Sequence, residues 1–229
     1  MFILDNDGGL MTKYSVAKFV IFVIVLMIIV GFPSYAQKKS KIVFTFYGHV
    51  CFMIAISQGT LMLTDPMKID EYPLPENLTS DIVTVSHNHR DHNYVEAVKG
   101  MPRILYGMQG KTGDEKHHTF VPVSEKIGDL GTVLTPDQLK KIGKVDVLMI
   151  PVGGKYTVTI DQADSIVTQL KPGMIVFPMH LRTDAAQFLP AKAEDFLKGK
   201  VNVEKVRDNI YKLNFDKPRS GMKYILMDY

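Results

Sequence analysis

Residues 86–92, SHNHRDH, hold three of the chain's seven histidines and an aspartate. Each imidazole brings polar nitrogens that need partners, so a surface loop gains nothing by crowding them. A divalent cation would use them all. His87 and His89 follow a predicted strand, residues 82–85, as an i, i+2 pair, and in an extended segment such a pair points to one side, where two imidazoles can hold one ion. Asp91 and His92 come after the chain starts to turn towards a helical pattern at residues 94–99, so they face another direction and suit a second ion. A nitrogen and oxygen donor set without thiolate favours zinc, one or two ions, with manganese or iron as replacements. The single cysteine, Cys51, has no partner for an internal disulfide and falls in the apolar run 50–56, where a buried thiol is expected.

The elements that must position these side chains read as strands alternating with helices. Residues 41–47 and 50–56 are β-branched and aromatic runs around a Gly48-His49 break and predict paired strands. Residues 61–64 and 82–85 are short apolar runs that end at polar clusters, Asp65-Pro66 and the histidine stretch, which places both clusters on loops at strand ends. Further on, 136–142 predicts a helix opened by Thr135, 145–150 a buried strand, and 163–170 a helix stopped by Pro172-Gly173. Residues 174–177 predict another buried strand, ending at Pro178-Met179-His180, and 201–206, 209–213 and 223–227 predict short closing strands. Strands alternating with helices after an opening hairpin indicate α/β layers.

Composition limits the functional classes. A chain of 229 residues that is 46% hydrophobic can bury one substantial core. The formal net charge of +3 is spread along the chain rather than blocked, so no nucleic-acid partner is expected. Lys13 and Lys18 precede an apolar run at 19–32, followed by Pro33, Ser34, Tyr35 and Ala36, which together have the three parts of a secretory signal. Cleavage is expected after Ala36, giving residues 1–36 as signal peptide and 37–229 as an exported domain, periplasmic or secreted, with no membrane contact after cleavage. An uncleaved signal would leave the chain anchored. The first ten residues carry two aspartates and no base, which suits a signal badly, so translation is expected to start at Met11.

Gly48-His49, Thr64-Asp65-Pro66, His87-x-His89-x-Asp91-His92, Gly128-Asp129-Leu130-Gly131, Pro151-Val152-Gly153-Gly154 and Pro178-Met179-His180 occur in that order along the chain. This arrangement resembles the metallo-β-lactamase-fold hydrolases, and within them the ascorbate-6-phosphate lactonase-like branch, which is related to the phospholipase D enzymes that cleave N-acyl phosphatidylethanolamine. The resemblance covers nearly all of the chain after residue 36. It implies an αββα sandwich with a metal centre on loops at one edge. By motif, His87 and His89 would hold the first ion, Asp91, His92 and His180 the second, and Asp129 would bridge the two. Asp65 would orient ligands without touching metal. His49 would lie near a small-molecule substrate and donate a proton or hydrogen bond, or else be a satisfied hairpin histidine. Asp91 would also orient the attacking water. Two neighbouring cations lower the pKa of a shared water, so that hydroxide can attack an ester, lactone or phosphodiester centre near neutral pH.

One feature departs from the branch. A histidine is expected two residues before Gly-Asp to complete the first metal site, and Lys126 stands there. The branch's His-Asp and Arg-Gly segment is missing too, as though some tens of residues with two central strands had dropped out, and Asp129 would then belong to the wrong Gly-Asp copy. Only His117 and His118 remain as substitute ligands. Two functions follow as alternatives: an exported metal-dependent hydrolase, or a catalytically impaired relative that keeps the fold as a binding module. The bound metal per chain discriminates them. Substrate and oligomeric state are not legible in the sequence.

Overall fold

The computed structural model describes residues 41–56, 59–106, 134–214 and 221–229. The expected signal segment, Lys126, Asp129, His117 and His118 lie outside the described residues. No helix among the described residues is long and apolar enough to cross a membrane.

The opening run of β-branched and aromatic residues forms a hairpin, β1 (Lys41–Phe46) and β2 (Phe52–Ile56), paired antiparallel with Phe46 opposite Phe52. Strand β3 (Leu61–Thr64) continues antiparallel to β2. Beyond it, β4 (Ile82–Val85) and β5 (Arg103–Tyr106) are added in parallel. In the second half of the chain, helix α1 (Pro136–Ile142) leads into β6 (Val147–Pro151), and helix α2 (Ile160–Leu170) leads into β7 (Ile175–Met179). A short helix α3 (Ala193–Leu197) precedes the closing strands β8 (Val203–Val206), β9 (Ile210–Asn214) and β10 (Lys223–Met227). Six strands form one sheet in the order β5-β4-β3-β2-β1-β9, and four form a second in the order β6-β7-β10-β8, parallel throughout.

The two sheets meet over an aromatic and aliphatic core. Phe44, Phe46, Phe52 and Ile54 of the first sheet face Ile175, Phe177, Met179, Ile225 and Met227 of the second. The Phe177 ring lies 5.0 Å from Phe44 and 5.6 Å from Phe52, within the range of favourable tilted aromatic pairs. On the outer face of the second sheet, Ala163, Ile166, Val167 and Leu170 of α2 pack with Phe196 of α3 and with Leu148 and Ile150 of β6. The outer face of the first sheet is covered differently. Met67, Tyr72, Leu78, Val98 and Leu189 come from loops and are buried over Met53, Leu63 and Val83. This is the expected sandwich of two sheets with helices, and among the described residues the helical layer lies on the second sheet only.

Local chemistry explains most element ends. Thr159 caps α2 by accepting from the Gln162 amide at 3.4 Å, while the Gln162 side chain accepts from the Thr159 amide at 2.8 Å, so the helix starts three residues before the predicted 163. Thr159→Ala should cost about 1 kcal/mol in denaturant unfolding without changing the bound metal. The helical pattern expected at residues 94–99 forms only one 3-10 turn, Val95–Ala97. The Tyr94 amide is held by the Pro66 carbonyl and the Lys99 amide by the Leu78 carbonyl, and this cross-bonding to other loops replaces a continued helix.

Candidate metal centre

Four loops at strand ends bring the predicted side chains to one edge of the sandwich. The first is the turn between β1 and β2. Gly48 takes φ 91° and His49 φ 50°, and the turn closes through Cys51 N–H to the Gly48 carbonyl and Tyr47 N–H to the Cys51 carbonyl. A side chain at Gly48 is excluded twice over: by the left-handed backbone, and because its Cβ would lie 2.2 Å from the Tyr72 ring. Tyr72 is itself fixed in the core, its hydroxyl bonded to that of Thr183. His49 is thereby held with 4% of its surface exposed.

The second loop follows β3. Thr64 anchors its start, accepting from Phe52 N–H at 3.0 Å and donating to the Val50 carbonyl at 3.2 Å. Asp65 then turns through φ 40° and is buried. Its carboxylate accepts from Ser86 N–H at 2.5 Å and lies 3.5 Å from His92 Nδ1. Ser86 Oγ sits 3.0 Å from His87 Nδ1 and 3.1 Å from His92 Nδ1. Asp65 and Ser86 therefore hold His92 by its Nδ1 side and turn Nε2 inward, an arrangement that fixes both tautomer and orientation of a ligating imidazole.

The third loop is the histidine stretch itself. His87 and His89 do not lie on an extended segment as the i, i+2 spacing predicts. The chain bends at once: His89 N–H donates to the His87 carbonyl, and the amides of His92 and Asn93 both donate to the His89 carbonyl. The tight turn still joins the pair, with His87 Nε2 3.0 Å from His89 Nδ1, His89 exposed and His87 half-buried. The His87 ring stacks on that of His92 at 4.1 Å, so the two predicted ligand groups adjoin rather than diverge. Asp91 points back into the site, its Oδ2 3.4 Å from His49 Nε2 and 3.6 Å from His92 Nε2.

The fourth loop follows β7. His180 takes φ 49°, and its N–H donates to the His49 carbonyl at 2.7 Å, joining the two sheets' loops directly. Its ring lies 4.2 Å from that of His49 and is 3% exposed. Gly153, after β6, is the floor beneath it: a Cβ there would sit 2.1 Å from the His180 carbonyl oxygen and 2.9 Å from its Nδ1. Gly153 thus supports a site residue from below, and Tyr156, three residues on, is largely exposed. Three non-glycine residues of this edge, His49, Asp65 and His180, occupy left-handed backbone, a strain of order 1–3 kcal/mol each that persists only where the surroundings over-determine it.

Electrostatics prepares the edge for a cation. Burial, reinforced by the neighbouring His49 and His92, lowers the His180 pKa to about 3, and burial with His92 and His89 lowers that of His87 to about 4. Both rings are neutral donors near pH 7. Burial alone would raise the Asp91 pKa, but the adjacent His49 and His92 rings outweigh it and keep the carboxyl ionised. Burial and the charge of Asp65 push the Cys51 thiol well above its ordinary value, leaving it a neutral core group. Buried atoms without a hydrogen-bond partner include both ring nitrogens of His49 and Nδ1 of His180. Such atoms are costly unless something binds them. Ligand atoms of His49, Asp91 and His92 all lie within 4.8 Å of one another, a spacing that fits a divalent ion. His49, His87, His89, Asp91, His92 and His180 thus share one edge, and Asp129 lies outside the described residues.

A model of the β-lactamase superfamily domain matches residues 43–125 and 127–180 of this chain. The chain belongs to the metallo-β-lactamase superfamily. A solved structure from Thermotoga maritima, described as a Zn-dependent hydrolase of that superfamily, is 33% identical, aligns over 81% of this chain and 98% of its own, and superposes with a TM-score of 0.61. A UPF0173 protein of Pyrococcus furiosus is 28% identical over 191 aligned positions, which cover 66% of this chain and 87% of the relative. A protein of Methanosphaera stadtmanae named as a UPF0173 metal-dependent hydrolase is 25% identical, with 60% of this chain and 83% of the relative aligned. The superfamily membership accounts for the two-sheet sandwich.

Proposed function

We propose that the protein is an exported metal-dependent hydrolase that cleaves an ester, lactone or phosphodiester bond of a small molecule. The observation that carries this reading is the set of buried imidazole nitrogens of His49 and His180 without a hydrogen-bond partner, gathered around the ionised Asp91 carboxylate. Asp91 and His92 would hold a divalent ion, zinc by donor type, with His180 beside them and His49 against both; His87 and His89 form a neighbouring pair for a second. When bound, such an ion lowers the pKa of water and polarises the group under attack. The chain's own residues orient that chemistry. Asp65 and Ser86 fix the His92 ring, Asp91 supplies a partly exposed, ionised carboxylate that can orient the attacking water, and the sheet edges keep the imidazoles in place. Export is supported by the basic, apolar and small-residue pattern that ends at Ala36.

The second reading, an impaired relative, has its own support. If the 191 aligned positions of the Pyrococcus protein draw on 66% of 229 residues, about 151, then about 40 positions have no counterpart in this chain. A missing internal segment would produce such a shortfall. The test is turnover of a generic phosphodiester, an aryl ester and a simple lactone by the purified chain, before and after chelation. A hydrolase loses at least about 100-fold in rate on chelation and regains it with zinc or manganese. Metal binding without turnover of any of the three would support the binding module, and turnover indifferent to chelation would remove the metal from the reaction.

A further inference from the structure

The spacing around one carboxylate oxygen assigns His49 a role that its place in a hairpin turn conceals. His49 Nε2 and His92 Nε2 lie 3.4 Å and 3.6 Å from the same Asp91 Oδ2. Donors bound to one tetrahedral zinc at about 2.1 Å stand about 3.4 Å apart, so both distances are those of edges of a coordination tetrahedron. As hydrogen bonds they are long, since an N–H to O bond peaks near 2.9 to 3.0 Å. The third edge, between the two imidazoles, falls within 4.8 Å.

A proton-donating or satisfied histidine needs a partner on its ring. His49 is 4% exposed, and neither ring nitrogen is hydrogen-bonded. Leaving a buried polar nitrogen without a partner costs of order 1–3 kcal/mol, and this ring has two. Its position is nonetheless enforced by a left-handed φ of 50°, by the packing of Gly48 on Tyr72, and by the bond from His180 N–H to its carbonyl. A side chain held this firmly, with no hydrogen bond and only the long 3.4 Å approach to Asp91, is preorganised for something that binds it.

We propose that His49 is itself a metal ligand, completing with Asp91 and His92 a three-residue site in which His180 supplies or borders the fourth position. This inference rests on the metal-dependent reading above and deepens it. Its consequence is specific to this chain: all three ligands lie on two loops of the first sheet, so the site needs no donor from residues 107–133. An ion would remain bound even where Lys126 replaces an expected histidine.

Zinc affinity of the purified protein, measured by competition with a chromophoric chelator, tests this. His49→Asn is the substitution of choice, because asparagine tolerates left-handed backbone while its shorter amide cannot reach the His49 Nε2 position. Affinity is expected to fall by about 100-fold or more, above the 10- to 100-fold typical of losing an outer partner, and the visible spectrum of the cobalt-substituted protein should change. Circular dichroism of both proteins without metal checks the fold. A second measurement needs no variant: in the wild-type protein, histidine-selective nitrogen NMR should show one His49 ring nitrogen shifting to a metal-bound value on zinc addition. Unchanged affinity and cobalt spectrum in folded His49→Asn, or an unshifted His49 ring, would overturn the assignment while leaving the metal-dependent reading intact. A wild-type protein that takes up no metal would overturn both.

Discussion

Asp91→Asn should strip the protein of metal and hydrolysis while leaving its fold in place. The carboxylate is the only anion facing both His49 and His92 among the described residues, and a single oxygen, Oδ2, serves both at 3.4 Å and 3.6 Å. An amide of the same shape keeps the van der Waals contacts and removes the charge. Two buried imidazoles would then face a cation with no carboxylate between them, so affinity should fall by at least about 100-fold, more than the 10- to 100-fold typical of losing an outer partner. Packing gives the opposite expectation for stability. The Asp91 side chain is one-third exposed and belongs to none of the three apolar clusters, so unfolding of the metal-free protein should change by less than about 1 kcal/mol. Metal content by elemental analysis, together with denaturant unfolding in chelator, separates the two effects. Stoichiometric zinc in purified Asp91→Asn would mean that the carboxylate faces the imidazoles for some other reason.

The contrast between Asp91 and its neighbours shows which parts of the centre could be read in advance. The histidine stretch was legible because its donors lie within seven residues, and proximity in sequence becomes proximity in space whatever the local backbone does. The extended geometry assumed for His87 and His89 was wrong, yet the bend that replaces it still brings their nitrogens to 3.0 Å. Convergence across loops was not legible from spacing. Nothing local in Gly48-His49 indicates that the His49 carbonyl receives the His180 amide, or that both ring nitrogens are buried without partners. Those facts depend on two sheets packing together, and only the family resemblance anticipated that His180 would join the cluster.

The elements divide in the same way. Strands β1 to β4 are continuous β-branched and aromatic runs and were read nearly to the residue, as was α1 behind its Thr135 cap. Strand β5, Arg103–Tyr106, was missed: it has four residues with both ends exposed, and its pairing with β4 stabilises it more than its own pattern does. Helix α3 has five residues, too few for a period to show. The three closing strands were found, but their partners were not. Strand β9 crosses to β1 in the first sheet while β8 and β10 flank one another in the second, a choice made by tertiary contacts that composition does not encode.

Gly153→Ala should damage the site more than its distance from the metal donors suggests. The new Cβ would meet the His180 carbonyl oxygen at 2.1 Å and Nδ1 at 2.9 Å, and the first, a backbone atom, cannot be relieved by turning a side chain. Both backbones are held. Pro151 is in register with Met179 in the β6–β7 ladder, Val152 N–H donates to the Met179 carbonyl, and His180 N–H donates to that of His49. The strands must therefore part by about an ångström, or His180 must leave its strained left-handed backbone. Overpacking of this kind costs typically 1–3 kcal/mol, and a locked backbone places the expectation at the upper end or beyond. Either movement carries the imidazole away from His49, so zinc affinity should fall by about 10- to 100-fold, as for loss of a residue that orients a ligand. The two losses are coupled through one contact. Saturating zinc should accordingly raise the melting temperature of Gly153→Ala by less than it raises that of the wild type, because part of the binding free energy goes into restoring the site. Equal zinc-induced shifts in both proteins would show that His180 does not need the space that glycine leaves beneath it.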